Sequence, residues 1–130
     1  MKSLLVLATF FFTPLVTANN SCDSAINSDR LNSCLLDKKA LITKKLDNEF
    51  KRYLDEIKIN YSGHMDIGNG ILIQAKDSQS KWYEYMISTC KVYSFQVENG
   101  TRTHATIMNR CISDKTEERI NEISLMINSM

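Results

Sequence analysis

Proline and glycine are the residues that most readily interrupt a helix, and their distribution leaves this chain few architectures. The only proline is Pro14, and the four glycines fall in two places: Gly63, Gly68 and Gly70 in one, Gly100 in the other. Past the N-terminal segment, three long glycine-free stretches remain. Each carries apolar residues at helical spacing.

In the first stretch, residues 22–61, Leu31, Leu35, Ile42, Leu46, Phe50, Tyr53, Ile57 and Tyr61 step by three, four or seven positions, the stripe of one long amphipathic helix. Asn27 or Ser28 is its N-cap, because a side-chain oxygen there can accept an orphan backbone N–H. Lys38, Lys39, Lys44 and Lys45 are interleaved with Asp37, Asp47, Glu49, Asp55 and Glu56, so they read as a solvated face and not as a basic patch. In the second stretch, residues 71–95, Gln79, Trp82, Met86 and Thr89 or Cys90 recur at helical spacing with Tyr85 beside them. That face is aromatic and sulfur-rich and needs partners; Tyr83 is the aromatic expected outside it. The third stretch, residues 103–130, places Ile112, Thr116, Ile120, Ile123, Ile127 and Met130 at helical steps. The expected fold is all-α, an up-down-up bundle of three main helices joined by glycine-bearing loops.

Met1-Lys2-Ser3, an apolar run from Leu4 to Val16 and then Val16-Thr17-Ala18 have the charged, apolar and small-residue regions of a secretory signal peptide. Residues 1–18 are therefore assigned to the signal and 19–130 to a single helical domain, exported to the periplasm or secreted after cleavage near Ala18. The apolar run falls short of the roughly 20 residues that span a bilayer, and Asn19-Asn20-Ser21 before Cys22 is not a lipidation box, so no membrane anchor is expected. Sixteen Lys and Arg face 15 Asp and Glu, and Lys2 leaves with the signal. A mature chain balanced to zero argues against nucleic acid as a partner.

Four cysteines in an exported chain of this size imply two disulfides, and the absence of any CxxC weakens zinc and thioredoxin-like readings. In an antiparallel three-helix bundle, Cys22, Cys34, Cys90 and Cys111 all lie at one end. Proximity there permits Cys22–Cys34 with Cys90–Cys111, or Cys22–Cys111 with Cys34–Cys90. Loop-closure entropy favours the first pairing, which closes the shorter loops.

Residues that could carry chemistry are few. His64 and His104 each sit in or beside a loop without triad-like neighbours. Asp66-Ile67-Gly68-Asn69-Gly70 lacks the alternating oxygen ligands of a calcium loop and reads as a turn. Adjacent Glu117 and Glu118 point about 100° apart on a helix and make no catalytic pair. Neither enzyme activity nor a cofactor nor a metal is expected. Trp82, Tyr83 and Tyr85 could form a binding platform, but the same spacing serves a core, which is the expectation for them. Asn19-Asn20-Ser21, Asn60-Tyr61-Ser62 and Asn99-Gly100-Thr101 match a glycosylation acceptor pattern that is common by chance.

Taken together, Gln79, Trp82, Tyr85 and Cys90, then Cys111, Thr116 and Arg119, then Leu31, Asn32 and Cys34 followed by Leu46 and Phe50, resemble three ordered motifs of the LprI-type lysozyme-inhibitor family. These are small exported bacterial proteins with four cysteines, and the resemblance covers nearly the whole mature chain. Where the family often carries Arg-Asp and an acidic residue, this chain has Met86-Ile87 and Thr43. The resemblance implies an export-compartment protein that binds and blocks a lysozyme-type peptidoglycan hydrolase. Two other readings are an immunity protein against a cell-wall-targeting toxin and a carrier that lodges a small hydrophobic ligand around Trp82, Phe50 and Phe95. For a protein partner, the expected contact is the loop of residues 96–106, closed by a Cys90–Cys111 bridge and bearing Asn99, Arg102 and His104.

Overall fold

The computed structural model describes residues 22–130; the signal peptide of residues 1–18 and the acceptor pattern at Asn19 lie outside them. A short 3-10 turn, Cys22–Ser24, leads into helix α1 (Ser28–Asn60), followed by α2 (Met65–Tyr93) and α3 (Arg102–Asn128). The three helices form the expected all-α bundle, and no strand occurs among the described residues.

Helix α1 begins where Asn27, in extended backbone, accepts the N–H of Arg30 on its side-chain oxygen at 2.9 Å. Its apolar stripe faces inward as expected: Leu35, Ile42, Leu46 and Ile57 are buried, with Leu31, Phe50, Tyr53 and Tyr61 half-buried beside them. Ile42 and Leu46 join Ile120 and Ile123 of α3 in the central apolar cluster, against which Phe50, Tyr53, Trp82, Met126 and Ile127 pack. Helix α1 makes its most extensive contact with α3, and α2 lies more loosely against the pair. Met130, counted in the α3 stripe, falls beyond the helix end and is exposed.

The Lys38–Lys39 pair is not on a solvated face. Both are half-buried at the α1–α3 contact, where Lys38 Nζ lies 3.7 Å from Asp114 and 3.4 Å from Glu117, and Lys39 donates to the buried Asn109 at 2.7 Å. Their long apolar stems reach the seam while the ammonium groups find partners on α3. Lys44 and Lys45, one turn later, are exposed as expected.

Helix α2 starts at Met65, not near residue 71, so the Asp66–Gly70 stretch read as a turn is its first turns and only residues 61–64 connect α1 to α2. Gly68 is buried against Tyr61, and a Cβ there would stand 3.0 Å from Tyr61 Cβ, tighter than ordinary contact; its missing side chain is what lets the two helices turn so closely. The opposite connection, residues 94–101, turns through Gly100 at φ +83°, a left-handed conformation that favours glycine.

The cysteines pair as loop closure favours, Cys22 with Cys34 and Cys90 with Cys111, at Cα separations of 5.8 and 5.6 Å. One bridge ties the leading turn to α1 and the other ties the end of α2 to α3 at the same end of the bundle. Disulfides of this kind belong to an oxidising compartment. No helix among the described residues is long and apolar enough to cross a membrane.

Candidate functional site

Two places gather the residues singled out in the sequence, one inside the bundle and one at its disulfide end. Inside, α2 meets α3 through polar side chains. Arg119 is almost fully buried: its Nε donates to Gln79 Oε1 at 3.0 Å, one terminal nitrogen donates to Glu122 at 2.8 Å and the other lies 3.4 Å from Ser78 Oγ. Its guanidinium carbon sits 5.6 Å from the centre of the Trp82 ring, an arrangement in which the cation meets the negative face of the indole. One turn earlier, Thr116 donates to the Ile112 carbonyl at 2.6 Å and places its hydroxyl 3.7 Å from the sulfur of buried Met86. Gln79, Trp82, Thr116 and Arg119 are thus one structural joint. Tyr85 is not part of it, being 61% exposed, more than the Tyr83 expected to lie outside. At 100° per residue it falls off the face that carries Gln79, Trp82 and Met86.

At the disulfide end, the three residues proposed for the loop fall on two different elements. Asn99 is exposed in the connection, but Arg102 and His104 belong to the first turn of α3. That turn is capped by Thr101, whose hydroxyl accepts the backbone N–H of His104 at 3.2 Å and donates to the Glu98 carbonyl at 2.7 Å. Arg102 pairs across the bundle end with Asp29 in the first turn of α1. Its guanidinium braces α3 against α1 instead of projecting from the loop.

What the end does present is apolar. Val92, Tyr93 and Phe95 are 74%, 66% and 86% exposed immediately after Cys90, and Tyr85 stands two turns earlier. Beside them runs a groove of about 340 Å³ walled by Tyr93 and by Ile107, Cys111, Asp114 and Lys115 of α3. Lys115 donates to Glu118 at 2.7 Å, and this bond, with smaller contributions from the Glu118 charge and the Tyr85 and Tyr93 phenols, raises its pKa above the ordinary lysine value. Exposure of Phe95 also removes it from any internal ligand-lining role. The sequence signal for this cluster was the run Val92-Tyr93-Ser94-Phe95, which carries three large apolar residues where a single helical stripe needs fewer.

Among the described residues, no group of three or more His, Cys, Asp or Glu side chains is placed to hold a metal ion. Comparison of the chain with protein-family models, with curated proteins and with solved structures finds no match in any of the three.

Proposed function

We propose that the mature protein is an exported binding protein that inhibits a lysozyme-type peptidoglycan hydrolase by forming a stoichiometric complex with it. The observation that carries this reading is the exposed cluster of Tyr85, Val92, Tyr93 and Phe95 held at the disulfide-bridged end. Aromatic side chains concentrate binding energy at protein interfaces, and contiguous exposed apolar residues mark such surfaces. The Cys90–Cys111 bridge restrains the two helices that present the cluster, which lowers the ordering entropy lost on binding. The partner-facing residues therefore move from the loop residues Asn99, Arg102 and His104 to the end of α2.

Immobilised oxidised protein, challenged with a mixture of purified peptidoglycan hydrolases, tests the reading. Retention of a lysozyme by the parent and its loss with the exposed-site substitution Phe95→Ser supports it. Passage of every hydrolase through the column overturns it.

A further inference from the structure

A second concavity, of about 220 Å³, opens where the three helices meet in the half of the bundle away from the disulfides. Tyr53 of α1, Ile71 and Ala75 of α2 and Met126 of α3 give it largely apolar walls, while Gln74, Ser78 and Arg119 supply its polar lining. Arg119 is only 5% exposed. A guanidinium carries five N–H donors and keeps its charge at any physiological pH. Three are engaged with Gln79, Glu122 and, at the long distance of 3.4 Å, Ser78. The other two have no acceptor among the described residues. Glu122, the one carboxylate on Arg119, is 58% exposed and shares its charge with solvent, so the buried cation is only partly compensated.

We infer that this pocket binds a small monocarboxylate with a short apolar tail. A carboxylate offers two coplanar acceptor oxygens matched to the guanidinium fork, with the Ser78 hydroxyl as a further donor. The hydrocarbon tail lies between Ile71, Ala75 and Met126. A volume below the roughly 300–1,000 Å³ of drug-sized ligand sites limits the ligand to a chain of a few carbons. The pocket shares no lining residue with the groove or the aromatic cluster of the disulfide end, so it stands or falls independently of hydrolase binding.

Trp82, the only tryptophan, reports on the site because its ring lies beside the Arg119 guanidinium. Titrating the oxidised protein with hexanoate should give a saturable fluorescence change, and hexanamide and hexanol should bind at least about tenfold more weakly, a difference of about 1.4 kcal/mol. Ala75→Leu, which fills the pocket while leaving Arg119, Gln79, Ser78 and Glu122 in the sequence, should abolish the response; Ser78→Ala, at an exposed helical position, should weaken it. Absence of saturation in the parent overturns the inference, as does equal binding of hexanoate and hexanamide. Hexanoate binding that survives in a folded Ala75→Leu variant overturns it as well.

Discussion

The guanidinium of Arg119 lies over the indole of Trp82, and the pair joins α2 to α3 where α3 turns Ser113, Thr116 and Arg119 to the interior in place of a continuous apolar seam. The joint has both a packing and an electrostatic component. Trp82 packs against the central cluster of Ile42, Leu46, Ile120 and Ile123 while its π face meets the buried guanidinium of Arg119.

That relationship predicts a coupling energy. Trp82→Ala should cost about 3 kcal/mol, the lower end for a tryptophan truncation because the ring is half-buried. In a double-mutant cycle with Arg119→Met, denaturant unfolding should give a coupling of about 0.5–2 kcal/mol. Additive costs, with no coupling, would show that the two side chains contribute independently.

The two helical glycines should respond oppositely to alanine. Nothing lies within 4 Å of a Cβ built on Gly70, so Gly70→Ala should stabilise by about 0.5–1 kcal/mol through helix propensity. Gly68→Ala gains the same propensity but drives its Cβ to 3.0 Å from Tyr61 Cβ, and the connection at residues 61–64 must shift. Thermal melts should show Gly70→Ala above the parent and Gly68→Ala below it; the reverse order would contradict the close approach.

Acid sensitivity should trace in part to Glu49, whose carboxyl is held below the ordinary glutamate value by hydrogen bonds from Arg52 and then Ser124 of α3. Because its folded pKa lies below its unfolded one, its contribution is complete above the unfolded value and is lost as pH falls through the folded value. Glu49→Gln does not titrate there. Urea unfolding at neutral pH and below the carboxylate range should show the variant losing less stability on acidification than the parent, and parallel losses would exclude Glu49.

Arg102 is expected to matter little. Its pairing with Asp29 joins two exposed side chains, and such pairs contribute about 0–1 kcal/mol. Arg102→Ala should therefore melt close to the parent and retain hydrolase binding, whereas a tenfold loss of affinity in a folded variant would return this arginine to the interface.

Much of the bundle was legible because each helix carries a long periodic stripe that no proline interrupts. The α1 stripe from Leu31 to Tyr61 and the preference for short disulfide loops both hold in the structure. The start of α2 was not legible. Gly68 and Gly70 look like punctuation in a sequence, and only the proximity of Tyr61, a tertiary contact, explains a glycine inside a helix. Lys38 and Lys39 were misplaced for a related reason: their partners Asp114, Glu117 and Asn109 lie some 70 residues away or more, beyond any local charge pattern. At the candidate site, loop-closure entropy points to the bridge between Cys90 and Cys111, but nothing in the sequence places the apolar residues around it. Spacing alone does not say whether Tyr85, Val92, Tyr93 and Phe95 have a helix packed over them.

The most direct measurement of the central claim is an activity titration: a panel of lysozyme types, each assayed on peptidoglycan against rising concentrations of the oxidised mature protein. The account predicts that at least one enzyme loses activity in proportion to added protein, reaching an end point at equimolar amounts, and that Tyr93→Ser with Phe95→Ser abolishes the effect while leaving the fold intact. Full activity of every panel member at a large excess of the parent would contradict it.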